Sequence, residues 1–595
     1  MSGGHPPDAA TVASVLVPLP VVLPLCAAGL KLAIGVRLQR TQRVISALVL
    51  AFVFGISLVL LVTADTHGPQ VMYSGGWAPP VGISLVADRL SALMLVISSA
   101  VTLCVLIYSV GQGMADREEA APLSVFHPSY LVLVAGVSDT FLAGDLFNLY
   151  VGFEIMLTAS YVLLTLGGTI ARIRAGATYA IVSLLSSVLF MAAIGMVYAA
   201  AGTVTMAQLP ERLDQLPEGV RTLIQIALLT VFGIKAAVFP LAAWLPDSYP
   251  TAPAPVTAVF AGLLTKVGIY AMLRTQTLLF PGSRLGDVLM VLALLSLVVG
   301  ILGAVAQTDL KRLLSFTLIS HMGYMVFGIA LASQAGFQGS IFYVAHHITV
   351  QTTLFLVAGL IERRGGSTDL LRLGGLATLS PVLAALFFVP AMNLAGIPPL
   401  SGFLGKLGLM RAGVEDGGAM AYVLIAGGMA TSLLTLYAMA KVWNLAFWRA
   451  APPELYEVGT VLEETDDSDD SGDTDDEGAG AVHGDDRADD GSGGWGAAPD
   501  SAGGGETVPA AVAVAAQEDT GARIEPAGHA RAASFSGREI TTTSTLPGSM
   551  VVSTIALVLF GLAFTVFAGP LSGLTDRAAA ELMARTPYVT AVMGK

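Results

Sequence analysis

The sequence predicts an all-α polytopic membrane protein of about fourteen transmembrane helices. Two observations carry that class: a mean hydropathy of +0.73 over 595 residues with only 12% charged residues, and apolar runs long enough to cross a hydrocarbon core of about 30 Å recurring along most of the chain. Soluble globular domains carry about 25% charged residues, so an ordinary soluble enzyme is excluded. A third observation concerns breaks. Two of the runs are interrupted by proline and also carry a lysine.

Taken in order, the spans are expected at 12-34, 43-63, 85-111, 129-144, 146-168, 177-201, 220-245, 254-279, 286-306, 311-332, 338-361, 378-411, 420-448 and 548-570. The first is read as a retained helix, because MSGGHPPD places no Lys or Arg ahead of it. Loops alternate in basic content. With the first loop inside, Arg37, Arg40, Arg43, Arg117, Arg172, Arg174, Lys311, Arg312, Arg363, Arg364, Arg372 and Arg449 lie on one side, against Arg212, Arg221, Arg274, Arg284, Arg411, Arg577, Arg585 and Lys595 on the other. That bias places both termini outside and the long insert in the cytoplasm.

Three segments follow: a membrane domain over 1-450, an acidic linker over 451-547, and a last span with a tail over 548-595. The formal charge of -13 belongs to the linker, since residues 463-490 hold 14 carboxylates against Arg487 and the rest of the chain is balanced. The acidity therefore says nothing about what the membrane body carries. EETDDSDDSGDTDDE followed by GSGGWGAAPDSAGGGE has too few large apolar residues to offset its ordering entropy. The two cysteines, Cys26 and Cys104, have no CxxC spacing, so neither an iron-sulfur site nor a disulfide framework is expected, and no cofactor or metal is implied.

The chemistry concentrates in ionisable residues within the spans. Lys235, Lys266 and Lys406 are three of only seven lysines, and Lys266 stands eight residues from Arg274, near mid-bilayer. Glu154 is nine residues past Asp145, at a comparable depth. A charge there costs about 2.5 to 3.5 kcal/mol even on insertion scales, and residues kept at such depth usually line ion or proton routes. A buried lysine can lose its proton when desolvated and regain it when a carboxylate approaches. Static ion pairs that only fix packing are the plainer alternative. His321, in SFTLISHMGY, and His346 with His347, in YVAHHITVQTTLF, add possible links, and His347 shares a helix face with Gln351. Asp139, Asp145 and Asn148 are expected as polar caps near a helix end.

The prolines mark the two lysine-bearing breaks, FGIKAAVFPLAAWLPDSYP in the seventh span and NLAGIPPLSGFLGKLGL in the twelfth. Proline removes a ladder hydrogen bond, which a membrane tolerates only where protein or water satisfies the freed carbonyl. Paired interrupted segments point to a transporter's central site. An odd spacing of five inverts the second copy, so helices 4 to 8 and 9 to 13 are expected as two inverted five-helix repeats.

GDLFNLYVGFEIMLTASYVLL around Glu154, AVFPLAAWLPDSYPTAPAPVTAVFAGLLTKVGIY through Lys266 and IPPLSGFLGKLGL around Lys406 resemble the proton-conducting antiporter-like proteins. Among these, the chain is most similar to the D subunit of Mrp-type multisubunit Na+/H+ antiporters, related to the membrane-arm subunits of complex I. The resemblance covers about residues 10 to 450 and the last helix. It implies a hydrated polar axis in which Glu154 modulates Lys235, Lys266 is a central relay, Lys406 is the exit-side group, and His321 with His346 or His347 are relay histidines. Gln351 departs from the pattern, where related sequences often have Lys. The implied partners are other subunits of a hetero-oligomeric antiporter, protons, Na+ and the lipid bilayer of the plasma membrane, with no nucleic acid. A proton-pumping subunit of a complex I-like NADH dehydrogenase or a membrane-bound hydrogenase is the alternative.

Overall fold

The computed structural model describes residues 14-34, 39-112, 123-282, 285-450 and 546-594. The acidic linker lies outside the described residues, apart from Leu546 and Pro547. Among the described residues, thirteen helices are long and apolar enough to cross a membrane, and Pro381–Ala395 is a shorter apolar one.

The first group of helices is α1 (Leu19–Ile34), α2 (Gln39–His67), α3 (Arg89–Gly111) and α4 (Leu123–Leu142). α1, α2 and α4 are tied at one level by the buried Lys31, whose ammonium donates to the Gln42 carbonyl at 2.6 Å and to Ser46 Oγ, while Ser46 Oγ meets His127 Nδ1 at 3.2 Å. A two-stranded antiparallel hairpin, β1 (Gln70–Tyr73) with β2 (Ser84–Ala87), precedes α3. The third span therefore begins at Arg89, not 85, and the Asp88 carboxylate caps it by accepting from the Ser91 backbone N–H at 2.8 Å.

Next come α5 (Leu146–Thr165) and α6 (Ile170–Ala201). Asp145 caps α5 through the Asn148 N–H at 2.7 Å, and Asn148 Nδ2 donates to Asp139 Oδ1 at 3.2 Å, the polar cap read from the sequence. On α6, Ile181, Leu184, Leu185 and Val188 are exposed while Ser183, Ser186 and Ser187 are buried. Its apolar face is outward and its polar face inward, the reverse of a soluble helix, because lipid is the solvent.

The seventh span, expected over 220-245 with a proline break, ends as a helix at Ala236 (α7, Glu218–Ala236), just before that break. Ala237 takes a left-handed conformation at φ 53°, and regular structure resumes only in the short helix Leu245–Ser248. The eighth span, α8 (Ala254–Leu278), contains a π turn at Phe260–Leu264. Arg274, counted among loop bases from the sequence, is buried inside α8.

After α9 (Gly286–Ala306), α10 (Leu310–Ala330) and α11 (Gln334–Gly365), the twelfth span is two helices rather than one: α12a (Pro381–Ala395) and α12b (Ser401–Asp416). Gly396, at φ +87°, ends the first half in a conformation that suits glycine. The chain continues through α13 (Ala419–Val442), α14 (Gly548–Val566), α15 (Ala568–Ala584) and α16 (Thr586–Met593). The two broken spans stand five apart, the parity that inverts one copy of a repeat relative to the other. α8 is buried along its whole length, α11 from Gly339 to Ile361, and α10 nearly so. Those three helices form the interior of the bundle, and they carry Lys266, His321, His346 and His347.

Candidate functional site

Each deep lysine sits where a helix has been interrupted. Lys235 occupies the last turn of α7, just before the left-handed Ala237, where the unsatisfied carbonyls of a helix end carry partial negative charge. Its Nζ makes long contacts to the Ser183 carbonyl at 3.5 Å and to Ser187 Oγ at 3.4 Å, and it lies 5.8 Å from the centre of the Phe153 ring. Ser187 Oγ in turn donates to Glu154 Oε1. Glu154 and Lys235 are thus joined as expected, but through a serine of α6 and not as a direct ion pair.

Lys266 follows the π turn of α8 and is fully buried. Its Nζ donates to the Ala261 carbonyl, inside that turn, at 2.5 Å. π turns inside α-helices occur frequently at functional positions because they shift the carbonyl ladder by one residue. The backbone of α8 reaches the end of α7 at Gly268, where a Cβ would stand 2.7 Å from Ala236 N. Glycine at that place lets the Lys235 and Lys266 helices touch.

Lys406 lies in the second turn of α12b and reaches back across the break. Its Nζ donates to the carbonyls of Leu394 and Ala395 at 3.0 Å each, the last residues of α12a, and faces the Tyr324 ring at 5.1 Å from the centre. Among the described residues, none of these three lysines forms an ion pair. Backbone dipoles hold them.

The histidines fill the space between Lys266 and Lys406. His321 and His347 have ring centres 5.1 Å apart, and His321 Nδ1 shares a hydrogen bond with Tyr343 OH at 2.9 Å. The ring of Tyr343 lies 5.4 Å from that of His346, whose Nδ1 meets Ser401 Oγ at 3.0 Å. Ser401 Oγ donates to Asn393 Oδ1 at 3.3 Å, so the chain of contacts arrives at the break beside Lys406. Neither nitrogen of the His347 ring has a protein partner, and the second nitrogens of His321 and His346 are also open. Gly402 admits His346: a Cβ there would stand 1.9 Å from the Asn393 carbonyl and 3.0 Å from the imidazole. Gln351, the position that departs from the expected lysine, donates to the Leu314 carbonyl at 2.8 Å. It is a hydrogen-bonded amide that cannot carry a proton.

Of the seven residues singled out from the sequence, the structure links Glu154 to Lys235 through Ser187, and sets His321, His347 and His346 in a row that reaches the break beside Lys406, while Lys266 bonds the Ala261 carbonyl. It adds Ser187, Tyr343, Ser401 and Asn393, which composition alone did not mark. A signal for two of them was present. Ser187 belongs to a serine cluster, LSSV, four residues after Ser183, and Tyr343 stands three and four residues before the histidine pair, on the same helix face.

Broken spans, a lysine at each break and a buried row of titratable groups define a class of multi-pass membrane subunit, the antiporter-like subunits of ion-translocating complexes. A family model described as "NADH:quinone oxidoreductase/Mrp antiporter, TM" matches residues 143–435. The chain is 42% identical over 437 residues to the Na(+)/H(+) antiporter D subunit of Alkalihalophilus pseudofirmus, covering 73% of this chain and 87% of that one. Against the Na(+)/H(+) antiporter D subunit of Bacillus subtilis the identity is 38%, covering 72% and 86%. A chain of the Mrp complex from Dietzia sp. DQ12-45-1b superposes with a TM-score of 0.77 at 30% identity, covering 98% of this chain and 100% of that one. The fold is also that of a chain of an archaeal membrane-bound sulfane sulfur reductase, with a TM-score of 0.73 at 21% identity and coverage of 98% and 99%. The chain belongs to the D-subunit family of Na+/H+ antiporters, within the NADH:quinone oxidoreductase/Mrp antiporter transmembrane group.

Proposed function

We propose that the chain is the proton-conducting subunit of a multisubunit Na+/H+ antiporter in the plasma membrane, assembled with other subunits and moving protons along Glu154, Lys235, Lys266, the histidines and Lys406 to drive Na+ extrusion. Residues 1-450 form the antiporter-like body in this reading, 451-547 an acidic cytoplasmic linker, and 548-595 the last helix and its tail. The observation that carries it is the arrangement of the lysines. The Lys406 ammonium rests on carbonyls freed by the helix break and that of Lys266 on a carbonyl of the π turn, while Lys235 touches the Ser183 carbonyl and Ser187 Oγ of α6, so each can release a proton without breaking a direct ion pair. Of these three lysines, among the described residues, Lys235 alone has an acidic neighbour, Glu154, and a hydroxyl stands between them. A small rearrangement of Ser187 can then alternately join and separate the pair, raising and lowering the hold on the proton at Lys235. His321, His346 and His347, with Tyr343 and Ser401, supply exchangeable protons across the middle of the protein.

A redox-driven complex could use the same axis. The identity to antiporter D subunits, against a likeness to the sulfur reductase chain that extends to fold alone, favours the antiporter reading. The test is Lys235→Ala and Glu154→Ala in the intact assembly, with Na+-driven dissipation of a pH gradient measured in everted vesicles beside the amount of each subunit. Loss of exchange with normal assembly is the expected result. Near-normal exchange in either variant would remove the Glu154–Lys235 pair from the route.

A further inference from the structure

The last membrane span takes part in the break that holds Lys406. Like any helix, α12b begins with four backbone N–H groups that its own turns do not satisfy in the helical pattern. Its N-cap residue, Leu400, has an apolar side chain and offers no cap. Two of the four are met within the break, the Leu400 N–H by the Ile397 carbonyl and the Phe403 N–H by the Leu400 carbonyl, at 3.0 Å each. A third, from Gly402, reaches Asn393 Oδ1 of α12a at 2.9 Å. The fourth, from Ser401, finds its acceptor on another span: Thr565 Oγ1, in the last turn of α14, at 2.9 Å.

Two other hydroxyls of α14, on Ser553 and Thr554, donate to the Met550 carbonyl of their own helix at 3.1 and 2.7 Å, the usual arrangement of a hydroxyl in an apolar span. Thr565 presents its oxygen to a neighbouring helix. The span is held on both sides of that contact. At its start, Gly111 of α3 comes so near that a Cβ there would stand 2.1 Å from Ser549 Oγ. Just past its end, Gln338 of α11 donates to the Ser572 carbonyl and hydroxyl at 3.2 and 3.0 Å. The residue that Thr565 caps is central to the site. Ser401 is fully buried, its hydroxyl meets His346 Nδ1 and Asn393 Oδ1, and Lys406 follows five positions later on the same helix.

We infer that Thr565 is a positioning residue for proton transfer at Lys406: by accepting the Ser401 N–H, it seats the first turn of α12b so that Ser401 meets His346 and Lys406 reaches the last carbonyls of α12a. The inference rests on the reading of Lys406 as a proton carrier. Without the Thr565 oxygen, the Ser401 N–H is a buried donor that has lost its acceptor, which is costly. The acceptors within the break are Asn393 Oδ1 and the Leu394 and Ala395 carbonyls, and these already serve Ser401 Oγ, the Gly402 N–H and the Lys406 ammonium. The freed N–H competes for them, and the seat of the ammonium loosens. Thr565 carries no proton in this account; it acts through one backbone hydrogen bond.

Thr565→Val keeps the branched shape and removes the acceptor, whereas Thr565→Ser keeps the acceptor and drops the methyl. In vesicles carrying the full assembly, exchange is measured across a pH series and normalised to subunit amount, beside Lys406→Ala and the control Thr554→Val. The expected result for Thr565→Val is a slowing of about 2- to 10-fold with an altered shape of the pH profile, while Thr565→Ser and Thr554→Val stay close to wild type. A Val variant with unaltered rate and profile while Lys406→Ala is inactive overturns the cap and leaves the axis standing. An active Lys406→Ala overturns the reading on which the inference rests. A Ser variant as slow as Val, or a slowing that scales the profile without changing its shape, marks a packing role and overturns the inference. Should Thr565→Val not assemble, Thr565→Ala decides against Thr565→Ser, which differs from it by the hydroxyl alone: slower exchange in the Ala variant supports the cap and equal rates overturn it.

Discussion

Ser187 offers the sharpest test of how the carboxylate and the lysine communicate. Its hydroxyl donates to Glu154 and accepts from Lys235 at 3.4 Å, and the side chain is buried, so no bulk water competes for either contact. A hydrogen bond to a charged group contributes about 1.5 to 3 kcal/mol. Ser187→Ala deletes one oxygen and both bonds while leaving the helix face otherwise intact. If the bridge is made while the proton passes, its loss raises the barrier by that energy, which corresponds to a fall in rate of about 10- to 150-fold at 1.36 kcal/mol per decade. Ser186→Ala is the matched control, because Ser186 is equally buried on the same helix and its hydroxyl has no partner. Initial rates of Na+-driven alkalinisation in everted vesicles, normalised to subunit amount across a pH series, measure the difference. Wild-type exchange by Ser187→Ala at every pH would refute the bridge, and equal losses in the Ser187 and Ser186 variants would show that packing, not proton transfer, had been disturbed.

Two further outcomes follow from the second half of the axis. Lys406→Arg keeps the charge but effectively cannot deprotonate in a protein, so exchange across a pH series is expected to be nearly as low as for Lys406→Ala; substantial activity at every pH would show that Lys406 supplies charge alone. His347→Ala, which removes a ring with both nitrogens open beside the non-titrating Gln351, is expected to slow exchange more than His321→Ala, and equal mild effects in the same assay would take His347 off the route.

How much of this was legible in the sequence depended on whether the signal was local. About twenty apolar residues in a row declare a span, and Pro240, Pro398 and Pro399 declare the breaks, because both are properties of neighbouring residues. The lysines were legible for the same reason, standing alone in apolar runs. The π turn Phe260–Leu264 was not, since FAGLL is apolar and helix-compatible; the turn packs closely against α11, where a Cβ on Gly262 would stand 2.1 Å from Thr352 Oγ1. Ser187 was invisible for a related reason: a serine on a membrane helix reads alike whether it faces lipid, where it can bond its own backbone, or a charge on another helix. The hairpin β1–β2 is four residues a strand, too short for an alternation to stand out. Ser401 and Thr565 lie 164 positions apart in the chain, and nothing in either neighbourhood points to the other.

The two halves of the axis arrive at one physical solution by different routes, and that argues for its use. Lys235 precedes its break and sits in the last turn of the helix that ends there, whereas Lys406 follows its break and reaches back to the last carbonyls of the helix before it. Lys266 lies in no break, yet the π turn supplies it with a carbonyl in the same way. Had the requirement been only to anchor helices, buried carboxylate partners would have served, and breaking such a pair costs about 3 to 5 kcal/mol. A carrier needs the opposite property, a partner strong enough to keep an ammonium in a membrane interior and weak enough to let the amine form. Backbone dipoles meet both conditions, and the helix defects are where a membrane protein can expose them without leaving carbonyls facing lipid. Under the proposed function, Pro398, Pro399, Gly396 and the π turn belong to the conducting machinery, because they leave the carbonyls on which Lys406 and Lys266 rest.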